Sequence, residues 1–158
     1  MNKNSGFTLI EVMVSTMLLV VALLGSLGVF ARLLGITESD KSYIMAQKEA
    51  EAKMEELTRN NYITLITDYT NAGTLKSTPF NLSSTMVTGK GVVYAQELSG
   101  AANSLLSVRV VVCYRQKGRI VGEDINLNGV LDGAEDQNNN ARIDSPCQLD
   151  TVMVNKEI

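Results

Sequence analysis

The sequence predicts an α+β fold: one long N-terminal α-helix whose second half packs on an antiparallel sheet of three or four strands. Two patterns predict it. A run from Val12 to Ala31 carries no formal charge and passes into an amphipathic segment that reaches about residue 59. Runs rich in β-branched residues then take over between residues 91 and 121 and return at 149–154. Together they set a sheet against a helix.

The helix comes first. Twenty residues from Val12 to Ala31, at about 1.5 Å each, extend about 30 Å, the thickness of a bilayer's hydrocarbon core. Glu11 stands at the mouth of this run, where burial in lipid costs several kcal/mol without a partner. Beyond it Ile36, Tyr43, Ala46, Ala50, Met54 and Leu57 recur at helical spacing, interrupted by Asp40. Lys48, Glu49, Glu51, Lys53, Glu55 and Glu56 fall largely on the other faces. A helix over residues 7–59 would reach about 80 Å, longer than a domain of this size, so its N-terminal half is expected to project. Gly25, Gly28 and Gly35 interrupt it; small residues of this kind let membrane helices approach closely.

Residues 60–90 are polar and rich in turn formers, and read as a connecting loop with a short turn of helix at Tyr62–Ile66. Strands are expected at Gly91–Leu98, at Leu105–Arg115, and at Arg119–Val121, which pairs back through Gln116-Lys117-Gly118. A last strand is expected over Leu149–Val154.

Composition narrows the function. The chain of 158 residues has no His and no Trp, and its formal charge is −3. Without His it lacks the commonest general base and the commonest transition-metal ligand. No nucleophile motif is present, so an enzyme is not expected. No basic patch marks a nucleic-acid surface, and direct nucleic-acid binding is not expected.

The most chemical segment is the acidic insertion between residues 123 and 144. Asp124 to Glu135 fits the twelve-residue calcium loop D-x-D/N-x-D/N-G-x5-E. Asp124, Asn126 and Asn128 stand at loop positions 1, 3 and 5, and Gly129 allows the sharp turn. Val130 offers its backbone carbonyl, Asp132 sits at position 9, and Glu135 closes the loop with both oxygens. Leu131 is expected to anchor the loop to the core. The stretch Glu123–Asp132 recurs twelve residues later as Glu135–Asp144, giving a copy with Asp136, Asn138, Asn140, Arg142 (through its carbonyl) and Asp144. It has Ala141 in place of Gly129, and its position 12 is Cys147. It is either a degraded site or one that shares ligands with the first. The expected cofactor is Ca2+, one ion at the first loop with a second at the copy. The tandem resembles the calcium repeats of dockerins and thrombospondin-type modules, and a polar turn-rich loop is the alternative.

Lys3-Asn4-Ser5-Gly6 followed by Phe7-Thr8-Leu9-Ile10-Glu11 resembles the cleavage and methylation signal of type IV prepilins and the related pseudopilins. The resemblance implies a leader over 1–6, cleaved after Gly6 by prepilin peptidase, with methylation of the new amino group of Phe7. It implies that Glu11 faces the Phe7 amine of a neighbouring subunit, where each charge offsets the other's burial cost. Residues 7–31 would then be the transmembrane or filament-core half of the helix, and 32–158 a pilin head. The precursor would sit in the inner membrane with its head in the periplasm, then move to the pilus on the cell surface. Its partners would be other pilin subunits, the peptidase and the inner-membrane assembly machinery. The role expected is a minor pilin. The alternatives are a type II secretion pseudopilin and a non-polymerising, membrane-tethered, calcium-dependent binding module. In an exported head Cys113 and Cys147 meet an oxidising compartment. A disulfide across the 33 residues between them would contribute about 3–4 kcal/mol. Two unpaired buried thiols are the alternative.

Overall fold

A computed structural model of the chain describes residues 8–72, 74–98, 100 and 104–156. Its order is α1 (Leu9–Arg59), α2 (Tyr62–Tyr69), β1 (Lys76–Asn81), β2 (Gly89–Glu97), β3 (Leu105–Gln116), β4 (Arg119–Val121) and β5 (Cys147–Val154). This is the expected long helix packed against an antiparallel sheet. The chain divides into two compact units, Met1–Glu38 and Ser39–Ile158, and α1 contributes to both.

In the first unit every described side chain from Thr8 to Leu34 is exposed. An 18-residue window of α1 reaches a mean hydropathy of 2.4, and none of that window is buried. Three of the four hydroxyls on this stretch are satisfied within the helix. Ser15, Thr16 and Ser26 donate to the carbonyls of Glu11, Met13 and Leu23 at 2.7, 2.9 and 2.8 Å. A surface this apolar, with these three hydroxyls turned to the backbone, suits a lipid or protein surround rather than water.

In the second unit α1 buries Ala46, Ala50 and Leu57. They join Val93 and Ala95 of β2, the even-numbered residues Leu106 to Tyr114 of β3, and Cys147 of β5 in one core. The buried face of the helix is the one expected at Ala46, Ala50, Met54 and Leu57, and departs from it at the N-terminal end of the stripe. Tyr43 and Ile36 are exposed, whereas Glu49 and Lys53 turn toward the head. The Glu49 carboxylate accepts hydrogen bonds from the backbone N–H groups of Ser83 and Ser84 at 2.9 and 2.8 Å. The Lys53 ammonium lies 5.8 Å from the centroid of the Tyr69 ring and 5.6 Å from that of Phe80, a cation–π arrangement that lets a charged side chain face the core.

The sheet has five strands rather than three or four. β1, β2 and β3 are successive antiparallel neighbours, and β4 and β5 share the remaining edge of β3. β4 pairs with Tyr114–Gln116, and β5 pairs with Leu105–Val112. The strand missed in the sequence is β1, Lys-Ser-Thr-Pro-Phe-Asn, with its strictly alternating burial. It is an edge strand, where Pro79 is tolerated because no ladder bond is needed on the open side. Its Phe80 ring covers Gly91 of β2, where a Cβ would fall 2.1 Å from the ring. The helix at Tyr62 runs on to Tyr69, capped by the Asn61 side chain, which accepts from the N–H of Ile63 at 3.2 Å.

Because side chains alternate along a strand, the sheet's other face carries Val92, Tyr94, Val111 and Cys113. This second core is covered by the segment between β4 and β5, through Ile143, Leu127 and Leu131.

Candidate functional site

Two places carry the chemistry. The first is the start of α1. Gly6 and Phe7 lie outside the described residues. Glu11 sits in the first turn of α1 and is exposed. A carboxylate is favoured there by the helix dipole, and it is the only charged side chain from Leu9 to Ala31.

The second is the insertion. Its first loop is built around two buried carboxylates, Asp124 at 0% exposure and Glu135 at 3%. Asp124 accepts from the N–H groups of Asn128 and Gly129 at 3.1 and 2.8 Å. Glu135 Oε1 accepts from the N–H of Ile125 at 2.8 Å, and its Oε2 from that of Asp132 at 3.1 Å. The oxygens of Asn126 and Asn128 accept from the N–H groups of Asn128 and Val130 at 2.9 and 2.6 Å. Both side-chain amides donate to Asp132 Oδ2, at 2.7 and 3.2 Å. Leu131 packs on the sheet, as position 8 requires.

The loop's backbone explains its sequence. Leu127 and Gly129 are left-handed, at φ 57° and 78°. A Cβ on Gly129 would also fall 2.5 Å from the Pro79 Cβ. Glycine is therefore required on two counts.

The copy repeats this conformation twelve residues later. Asn139 and Ala141 are left-handed at φ 56° and 58°. Asp136 accepts from the N–H groups of Asn140 and Ala141, both at 3.0 Å. The oxygens of Asn138 and Asn140 accept from Asn140 and Arg142, at 3.0 and 2.8 Å. Asn138 and Asn140 donate to Asp144 Oδ2 at 2.8 and 2.7 Å. Ile143, the counterpart of Leu131, is fully buried, and its N–H donates to the Tyr94 hydroxyl at 2.8 Å. The Arg142 guanidinium points away from the loop, to Gln96 Oε1 at 3.4 Å. Arg109 stands between Asp144 at 3.4 Å and Asp150 at 2.5 Å.

The donor set is all oxygen, the chemistry a hard cation such as Ca2+ takes. Asp124 and Glu135 are buried with backbone N–H groups as their partners. Among the described residues, however, no group of three or more Asp, Glu, Cys or His side chains converges enough to hold a metal as it stands. A cation here would have to draw Asp132 from its amide partners.

The disulfide is a correction. Cys113 and Cys147 are both free and buried. In the β3–β5 register Cys147 pairs with Val112 and shares its face. Cys113, one residue on, points to the opposite face. A one-residue offset reverses the face of a side chain, so the two thiols diverge across the sheet. Burial pushes both thiols up to about 11, so they stay protonated and unreactive at neutral pH.

The role of one contributor escaped the sequence pattern. Glu123, immediately before the first loop, accepts from the N–H of Asp144 in the copy at 3.1 Å. The twelve-residue repeat aligns Glu123 with Glu135, but the calcium motif reads only forward from its first Asp and gives Glu123 no role.

Residues 1–27 match the family described as "Prokaryotic N-terminal methylation motif". Over a long apolar N-terminal helix, that match supports a type IV pilin-like precursor. No curated protein and no solved structure matches the chain.

Proposed function

We propose that this chain is a structural subunit, a minor pilin, of a type IV pilus. Prepilin peptidase cuts between Gly6 and Phe7, the new amine of Phe7 is methylated, and α1 then packs among the helices of other subunits. The single observation that carries the reading is an apolar helical surface, exposed from Leu9 to Phe30, that holds one carboxylate, within a chain start that matches a methylation motif over residues 1–27. A plain anchor has no use for Glu11. In a bundle of such helices the carboxylate meets the Phe7 amine of a neighbour, and each removes the other's desolvation cost.

The head's insertion, on this reading, takes Ca2+. At the first loop Asp124, Asn126, Asn128, the Val130 carbonyl, Asp132 and Glu135 would hold it. At the copy Asp136, Asn138, Asn140, the Arg142 carbonyl and Asp144 would hold a second. The ion's contribution is to neutralise the crowded carboxylates and fix the cover of the sheet's second core. The ion is structural, since extracellular loops of this kind bind at roughly 10⁻⁴–10⁻³ M.

The test is Glu11→Ala in cells that carry the rest of the assembly machinery. The subunit should accumulate in the membrane and vanish from sheared surface fibres. Unchanged incorporation would reject the assembly role and favour a tethered module that never polymerises.

A further inference from the structure

We propose that Glu123 closes the second loop as Glu135 closes the first, so that the insertion is one interlocked unit which orders, and takes up its ions, as a whole; the ion half of this rests on the calcium reading above. The copy's position 12 is Cys147, which is committed to the sheet beside Val112. The closing carboxylate must come from elsewhere, and the contacts show where.

Two features of closure occur twice, while the Ile125 N–H to Glu135 Oε1 bond of the first loop has no backbone counterpart at Glu123. Asp132 N–H donates to Glu135 Oε2 at 3.1 Å, and Asp144 N–H donates to Glu123 Oε2 at 3.1 Å. Glu135 N–H donates to the Asp132 carbonyl at 2.8 Å, and Glu123 N–H donates to the Asp144 carbonyl at 2.9 Å. Each Glu immediately precedes the first Asp of one loop and closes the other. Glu135 ends loop one and leads into Asp136. Glu123 leads into Asp124 and closes loop two. The two loops thus form a ring, and opening either one displaces the residue that starts its partner.

The loops are not equal. Asp144 already faces the Arg109 guanidinium at 3.4 Å, a cation that competes with any metal. Asn138 also donates to Glu123 Oε1, at 3.4 Å. The second loop should therefore be the weaker, and the more dependent on the first.

The test uses the full chain in detergent micelles, with Glu123→Gln, Glu123→Ala and Glu135→Ala. Without calcium, amide exchange is followed at Asp144, Asp132 and Gly129. Either alanine variant should speed exchange in both loops by about tenfold or more, including at Gly129 when the change is at Glu123. Faster exchange confined to the loop that lost its Glu would overturn the interlock, and an unchanged Asp144 amide in Glu123→Ala would overturn the closure itself. Calcium is then titrated calorimetrically. The wild type should bind two ions and Glu123→Gln one, more weakly than the wild type's tighter site. Two ions of unchanged affinity in Glu123→Gln would overturn Glu123 as a ligand. No calcium bound by the wild type would overturn the ion half together with the calcium reading, while the exchange data would still decide the closure.

Discussion

The side chains of Cys113 and Cys147 leave opposite faces of one sheet, Cys113 beneath the acidic insertion and Cys147 in the core against α1. Proximity in the ladder is not enough for a bridge. Cys147 is registered with Val112, and the parity of a strand decides which core each thiol enters.

The folded protein should therefore carry two thiols even after exposure to an oxidant. Thiol counting in denaturant should find two, and reductant should leave Tm unchanged. A mass lower by two hydrogens, or a Tm that falls on reduction, would contradict the register.

The same burial gives a pH dependence. Folding raises both thiols from 9.0 to about 11. The unfolded chain releases these protons first as pH rises. The stability tied to the neutral thiols is thus fully present below about pH 9 and is lost between pH 9 and 11. Tyr114, pushed by burial up to about 12, continues the loss above pH 10. Thermal melts across pH 8–11 should show Tm falling, less steeply in Cys147→Ala after correction for that variant's lower starting Tm.

Gly129→Ala should cost about 2 kcal/mol or more. The left-handed backbone alone costs a Cβ about 1–2 kcal/mol, and the approach of Pro79 adds to it. Ala141 occupies the same conformation in the copy with φ 58°, so Ala141→Gly should change stability by less than about 1 kcal/mol. Chemical denaturation of both variants checks the contrast.

Glu49→Ala removes the acceptor for two backbone N–H groups and should cost about 1–3 kcal/mol. Amide exchange should rise at Ser83 and Ser84 and stay unchanged in the insertion.

On the calcium reading, Ca2+ at about a hundred times its dissociation constant should stabilise the protein by about 2.7 kcal/mol. That is several degrees in Tm, reversed by chelator. No shift with chelator would remove the ion from the account.

Much of this architecture was legible in the residues, and the exceptions are physical. β2 and β3 announced themselves through β-branched runs because they form the buried middle of the sheet, and β5 did so through Val152 and Val154 although its outer face is exposed. β1 did not, because an edge strand with Pro79 and alternate exposure needs little apolar character. The stripe on α1 was right at Ala46, Ala50 and Leu57 but wrong at its upper end. Glu49 and Lys53 were assigned to solvent because a charged side chain that finds a turn or two aromatic rings to face leaves no mark in a hydropathy pattern. In the insertion, the twelve-residue repeat revealed the backbone conformation. The exchange between Glu123 and Glu135 was hidden, since it depends on where the ring of loops closes.

The central claim is that the leader ahead of α1 is removed and α1 is carried into a filament. It is tested most directly by mass spectrometry of fibres sheared from the cell surface. The account predicts this chain in the fibres, beginning at an N-methylated Phe7. A chain that retains Met1–Gly6 in the cell, or that is absent from every surface fibre, would contradict it.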